Sequence, residues 1–435
     1  MEYTELKHDG YIPRHMDSIL ARYLQAFGGV EVSGTKWCGK SWTALSFAKS
    51  VTYVDTDTAG VFEADPTIAL AGETPHLIDE WQDVPAIWNA ARHRIDDLGN
   101  ARSQFIFTGS STPNYEAARS LHSGAGRIAR LHMRTMTLRE RNLTHGGISL
   151  AGLFDPAYRK AFSPKLSSLG LGDIAGAVCR GGWPVLAANP DLPSQDIVDE
   201  YLAALFEDTM PRAGKSPQLA ESIARSLARN VATSATVHTL ALDAAQGDSS
   251  LASDATVKSY IDEFRRNYFI EELSGWDAPV RAKSRLRTKP KRYFSDPSLV
   301  TSLLGVNRRH LLEDSQLLGL LFESQCIHDL LVYASMLPDA SREPLHYYRD
   351  SDNLEVDVIV ELRDGRWAGI EVKLGEGKVP EATDSLNRLR KKVSRNPAAR
   401  NPEPEFMAVL LAKGVAARYL PDEDLYVIPI DLLEP

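Results

Sequence analysis

Between residues 28 and 112 short β-branched runs alternate with a segment of helical character. "GGVEV" (28–32) reads as a strand, "KSWTALSFAKS" (40–50) as a helix and "VTYVDTD" (51–57) as a second strand, closing a strand–helix–strand unit. "PHLIDEWQDVP" (75–85) and "QFIFTGSST" (104–112) add two more apolar runs, each ending in polar residues. The middle of the chain changes period. "SQDIVDEYLAALFEDTMPR" (194–212) places Ile197, Tyr201, Leu205 and Phe206 at helical spacing. Residues 219–234, 236–247 and 253–270 then predict three helices. Ser253 or Asp254 caps the third, which carries Val257, Tyr260, Ile261 and Phe264 on one face. "FIEELSGW" (269–276) follows as a strand. Further on, residues 314–337 predict an amphipathic helix, and residues 344–375 read as strand, turn, strand, Asp-Gly turn, strand. The expected class is α/β, in four segments. Residues 1–150 form a phosphate-loop domain, 151–218 a helical lid or connector, 219–280 a winged-helix module and 281–435 a second α/β domain.

Composition narrows this little. The 435 residues suggest two to four domains, and 43% hydrophobic with 25% charged residues is ordinary for a globular chain. A net charge of −9 means that any nucleic-acid surface must be a local basic patch. Cys38, Cys179 and Cys326 lie far apart, which speaks against a zinc site or a disulfide framework and fits a reducing cytoplasm. The N-terminus has no apolar signal core and no run of 18 apolar residues occurs, so no membrane partner is expected.

The chemistry gathers where strands end. "VSGTKWCGKSWTAL" (32–45) matches G-x-x-x-x-G-K-S/T through Gly34, Gly39, Lys40 and Ser41, between a strand and a helix, where backbone N–H groups cradle phosphates. Gly34, Thr35, Lys36, Trp37, Cys38, Gly39, Lys40, Ser41 and Trp42 are therefore the candidate ATP-binding residues, with Ser41 as a Mg²⁺ ligand. The apolar run before Asp79-Glu80 fits a Walker B strand, in which Asp79 serves Mg²⁺ and Glu80 polarises the attacking water. Thr108, ending the next strand, is a candidate γ-phosphate sensor. Arg127 follows a Gly-rich turn. It is either an arginine finger, from its own or a neighbouring subunit, or the partner of an acidic helix end. Arg14 is a candidate contact on the adenine side, and Trp37 and Cys38 are candidates to pack beneath the loop. "GGWP" (181–184) predicts an aromatic plug packing a helical lid on the ATPase core.

Two further patterns concern nucleic acid. In a winged helix the third helix can enter a major groove, and Lys258, Arg265 and Arg266 are its outward cations. "RAKSRLRTKPKRYFSDP" (281–297) holds Arg281, Lys283, Arg285, Arg287, Lys289, Lys291 and Arg292 almost on alternate positions. An extended segment would turn them to one face, a DNA-backbone strip, with a charged edge strand as the other reading. Finally Glu323 sits on an apolar helix face, Asp357 on one strand and Glu371 with Lys373 on the next. This is a PD-(D/E)xK nuclease-like constellation: Asp357 and Glu371 with Glu323 as metal ligands, and Lys373 acting on water and phosphate.

The order "GTKWCGKS", "LIDEWQ", "FTGSS", "GR", "GGWP", "KRYFSDP", "LFES", "YYR…EVDVIVE", "IEVK" resembles the prokaryotic AAA+ superfamily ATPases with a C-terminal domain of unknown function. That domain includes a winged helix and a restriction-endonuclease-like fold. The resemblance spans nearly the whole chain. It implies that Gly39, Lys40 and Ser41 bind nucleotide and that Asp79 and Glu80 serve Mg²⁺ and hydrolysis; Ser41 stands where Thr is more usual. The expected function is an AAA+ ATPase whose nucleotide state controls a DNA-associated module, with self-association through the ATPase domain. The rival is an ATP switch that binds a protein partner and keeps the C-terminal fold as a scaffold.

Overall fold

The computed structural model describes residues 3–112, 124–245, 252–279, 282, 285 and 288–435. The chain divides into two compact units: residues 1–136, 182–190 and 264–269 form the first, and residues 137–181, 191–263 and 270–435 the second.

Among the described residues, the first unit is built on five parallel strands. These are β1 (Gly29–Ser33), β2 (Ser50–Tyr53), β3 (His76–Asp79), β4 (Phe105–Gly109) and β5 (Ile128–His132), in the order β2-β3-β4-β1-β5. Every residue of β1 and β4 is buried, which is why both read as unbroken apolar runs rather than as alternating ones. One face is closed by Trp81, Ile87, Trp88, Ala91 and Ile95 packed on Phe105 and Phe107, with the Trp81 and Trp88 rings 4.6 Å apart. Because β4 lies between β1 and β3, Val32 pairs with Thr108 and Ile78 with Phe107. The carboxyl ends of the three strands therefore line up, as ligand sites in open α/β sheets require. Trp183, 1% exposed, belongs to this unit, so the plug packs in the ATPase core, whereas the helix Leu171–Arg180 before it belongs to the second unit.

The second unit contains short strands β6 (Ile148–Ser149) and β7 (Lys165–Leu166) and an antiparallel pair, β8 (Ile270–Leu273) with β9 (Lys291–Phe294). Its large strands are β10 (Ala340–Arg349), β11 (Glu355–Leu362), β12 (Trp367–Gly375), β13 (Phe406–Lys413), β14 (Ala416–Leu420) and β15 (Leu425–Pro429). With β7 they make a seven-stranded mixed sheet ordered β10-β11-β12-β13-β15-β14-β7, antiparallel through β10, β11 and β12 and parallel through β12, β13 and β15. The helix Val379–Ser394 covers one face through Val379, Ala382, Leu386, Leu389 and Val393. The helix Ser315–Ser335 is long and apolar enough to cross a membrane by composition, yet 67% of its most apolar stretch is buried, as in a core helix of a folded domain.

Three helices precede the β8–β9 pair: Pro217–Arg229, Val237–Ala244 and Asp254–Arg266. Of the two cap candidates on the last, Ser253 fills the role, its Oγ accepting from Thr256 N at 3.1 Å. The strand that pairs with β8 is β9, so the sheet following the three helices draws on residues beyond 280.

Candidate functional site

The phosphate loop is fixed by two close approaches. A Cβ on Gly34 would sit 2.1 Å from the Met133 carbonyl oxygen, and Gly39 has φ +103°, so neither position tolerates a side chain. Thr35 is buried and its carbonyl accepts Lys40 Nζ at 2.9 Å, holding the lysine, itself 4% exposed, under the loop. Lys36 and Trp37 point outward, Trp37 half exposed in a left-handed conformation at φ 64°. Cys38 lies beneath the loop with its Sγ toward the Met133 carbonyl, so of the two residues expected there only one packs inward. Trp42 follows Ser41 on the short helix Lys40–Leu45 and stacks on His8 at 4.6 Å.

Across the strand ends two hydroxyls meet on one carboxylate oxygen. Ser41 Oγ donates to Asp79 Oδ1 at 2.8 Å, and Thr108 Oγ1 donates to the same atom in a short hydrogen bond. Burial pushes the Asp79 carboxyl above its usual range, against the hydrogen bonds from Thr108 and Ser41 that favour its charged form. Next to it Glu80 adopts φ 57°, an uncommon backbone for a non-glycine residue. Its Oε2 accepts from Ser110 Oγ at 2.8 Å and from Gln82 Nε2 at 2.6 Å, and its N–H is directed to Thr108 Oγ1 at 3.3 Å. A hydroxyl and a carboxylate in contact are hard oxygen donors that suit Mg²⁺. That ion, when nucleotide-bound, takes one or two protein ligands and completes its shell with phosphate and water. Among the described residues no group of three or more His, Cys, Asp and Glu side chains is arranged as an all-protein metal cage.

Other predicted residues go elsewhere. Arg127 is engaged by Asp96: its Nε donates to Oδ1 at 2.7 Å, near the carboxyl end of the helix Ala86–Asp97. This is the acidic-helix-end pairing, and it offsets a carboxylate placed at the unfavourable end of a helix dipole. Arg14, a candidate for the adenine side, is turned to backbone carbonyls. Buried to 7% exposure, it donates Nη1 to the Cys38 carbonyl and Nη2 to the Arg134 carbonyl, both at 2.8 Å, and so braces the loop from below.

In the second unit Asp357 on β11 and Glu371 with Lys373 on β12 do come together. Lys373 Nζ lies 2.5 Å from Glu371 Oε2 and 3.3 Å from Asp357 Oδ2. Glu323 also reaches the cluster, where a second lysine meets it. Lys291 Nζ stands 3.0 Å from Glu323, 2.7 Å from Glu355 and 3.8 Å from Asp357, and Tyr293 donates to Glu323 at 2.7 Å. The expected metal ligands Glu323, Asp357 and Glu371 are thus neutralised by lysines. Burial and the nearby Asp357 charge push the Glu323 carboxyl up to about 7, although Lys291 and Tyr293 favour its charged form. Burial raises the Glu371 carboxyl too, helped by Asp357 and opposed by Lys373.

The basic strip also needs correction. Arg281, Lys283 and Arg287 lie outside the described residues. Arg285 makes a two-pronged pair with Glu361, 2.8 Å on each arm, Lys291 is buried and Arg292 pairs with Glu272 at 3.0 Å. Lys289 is exposed. Alternation put these cations on an extended segment, but carboxylates distant in sequence turn three of them inward. On the third helix Lys258 pairs with Asp262, and Arg266 donates to the Thr112 carbonyl at 3.1 Å.

Sequence reasoning passed over Glu31, Glu355, Tyr293 and the structural role of Lys291. Glu31, buried in β1, accepts from Trp81 Nε1 at 3.1 Å and pairs with Arg130 on neighbouring β5. A signal existed for Glu31, since a charge inside "GGVEV" demands a partner. Lys291 and Tyr293, two apart on β9, point to one face; their place in a basic run concealed this.

Three family models match the chain. Residues 29–142 match the AAA domain family, residues 318–433 a domain of unknown function, DUF4143, and residues 172–310 another, DUF8612. Uncharacterized proteins of Mycobacterium bovis and Mycobacterium tuberculosis are each 26% identical over 362 residues, covering 81% of this chain and 72% of theirs. Among solved structures, a Walker-type ATPase of Pyrococcus abyssi aligns over 70% of this chain and 100% of its own, at 11% identity and a TM-score of 0.42. Cdc6p of Pyrobaculum aerophilum aligns over 70% and 99%, at 11% identity and a TM-score of 0.22. The chain therefore carries an AAA-type P-loop domain ahead of a C-terminal DUF4143 domain.

Proposed function

We propose that the protein binds ATP with Mg²⁺ in the first unit and hydrolyses it, and that its nucleotide state acts on the second unit. The observation that carries this reading is the meeting of Ser41, Thr108 and Asp79 with Glu80 alongside, at the carboxyl ends of adjacent parallel strands. In this reading the Lys40 ammonium, preset by the Thr35 carbonyl, pairs with the β- and γ-phosphates. Ser41 and Asp79 would hold Mg²⁺, which would supply positive charge against that developing on the phosphates. Thr108, bonded to Asp79 and reached by the Glu80 N–H, would couple the residue that holds the ion to the residue that orients water. Glu80 takes that proton-accepting role once Ser110 and Gln82 release its carboxylate.

For the second unit we favour the switch reading: a winged-helix-like and nuclease-like scaffold that meets a partner without cutting DNA. What supports it is that three of the four described cations of the basic stretch, Arg285, Lys291 and Arg292, are committed to internal carboxylates. The DNA-associated reading keeps Lys289 and Arg265, both exposed. Two assays test the whole. Lys40→Ala should abolish ATP binding while Glu80→Gln retains it and slows turnover; tight binding by the Lys40 variant removes the P-loop reading. Double-stranded DNA should leave ATP turnover unchanged, and a clear stimulation would favour the DNA-associated function.

A further inference from the structure

We propose that Lys291 is the resident cation of the Glu323–Glu355–Asp357 cluster, its ammonium taking the place between the carboxylates that a divalent ion would otherwise hold. The cluster is assembled from three elements: Glu323 from the helix Ser315–Ser335, Glu355 and Asp357 from one face of β11, and Lys291 from β9. Lys291 is 3% exposed, and its Nζ sits 2.7 Å from Glu355 and 3.0 Å from Glu323, with Asp357 at 3.8 Å. Oxygen ligands hold Mg²⁺ at about 2.0–2.1 Å and Ca²⁺ at about 2.3–2.6 Å, inside the radius that the ammonium occupies, so both cannot be present. Glu323 Oε1 also accepts from Tyr293, two residues along β9 on the same face, which leaves that oxygen saturated. On the other side of Asp357, Lys373 bonds Glu371 and Asp357, so Asp357 stands between two ammonium groups. A metal entering here would have to expel a buried lysine from its ion pairs, and the carboxylates that attract the metal are those that hold the lysine. This arrangement needs no ion and ties β9 to the helix and sheet of the same unit. It stands independently of the ATPase reading, because none of its groups comes from the first unit.

The test counts metal sites in the full-length, nucleotide-free chain. Asp79→Asn is introduced throughout to silence the first unit, and Mn²⁺ binding is followed by electron paramagnetic resonance. The Asp79→Asn protein should bind no Mn²⁺ at 100 µM or below. Adding Lys291→Met should create one site, and adding Asp357→Asn to that should remove it. Two results would overturn the proposal. One is a Mn²⁺ site in the Asp79→Asn protein that disappears both with Asp357→Asn and with Glu323→Gln, because the cluster would then hold metal with Lys291 in place. This comparison leaves Lys291 untouched, so it decides even if the Lys291 variant fails to fold. The other is a folded Lys291→Met protein, judged by its circular dichroism and melting transition, that gains no site.

Discussion

Arg14 gives the sharpest prediction, because its two roles lead to opposite results. Its guanidinium donates to the carbonyls of Cys38, in the phosphate loop, and Arg134, both at 2.8 Å and in a buried setting. Hydrogen bonds from a charged donor contribute about 1.5–3 kcal/mol each, so Arg14→Ala should cost roughly 3–6 kcal/mol. For a unit of this size each kcal/mol corresponds to about 2–4 °C, which places the fall in melting temperature on the order of 10 °C. Five of the seven tryptophans (Trp37, Trp42, Trp81, Trp88 and Trp183) lie in the first unit, so fluorescence-detected melting reads the right part of the chain. ATP affinity should weaken as well, by about tenfold if re-forming the loop takes up one hydrogen bond's worth, about 1.4 kcal/mol. Arg14→Lys, with a point donor in place of a fork, should fall between. A variant that melts within 2 °C of the parent yet loses ATP affinity would refute the brace and place the guanidinium against the nucleotide.

Gly34→Ala should destabilise the first unit and abolish ATP binding, since its Cβ would lie 2.1 Å from the Met133 carbonyl oxygen; Gly377→Ala, with open space around it, is the control, and equal melting of the two would sink the argument. Arg127→Ala should change stability little and leave ATP turnover largely intact, because the side chain serves a half-exposed pair with Asp96; a loss of about 10³-fold would restore the arginine-finger role. Arg285→Gln should cost roughly 2 kcal/mol at pH 7 by breaking its fork on Glu361, and should leave DNA affinity unaffected. Burial pushes the Glu361 carboxyl up, but Arg285 pulls it further down, below its usual range. Such a group adds stability above its unfolded pKa and loses it as pH falls through the folded one, so the gap between parent and variant should narrow as pH falls below the ordinary glutamate range, about 4.3. Urea melts at pH 7 and pH 3.5 measure it, and a constant gap would mean that the pair is not what the substitution breaks.

The sequence by itself determined four of the first unit's five strands and the motifs at their ends. Gly34, Gly39, Lys40, Ser41, Asp79, Glu80 and Thr108 were legible because a phosphate loop is local chemistry: strand, tight turn and helix lie within a few residues, and the buried parallel strands announce themselves as apolar runs. The spacing of Val257, Tyr260, Ile261 and Phe264 likewise placed the third helix, since helical periodicity is a property of the segment alone. Arg14 and the basic run were another matter. A cation in a sequence carries no address. Whether it meets a phosphate, a carbonyl or a carboxylate depends on which distant segment folds against it. Arg14 finds carbonyls 24 and 120 residues away, Arg285 finds Glu361 76 residues away, and Lys291 finds Glu323 32 residues away. Periodicity could tell which face of a strand Lys291 would take, but only the tertiary structure decided what stood opposite. There, buried carboxylates had to be neutralised by the nearest cation, and the sheet supplied a lysine.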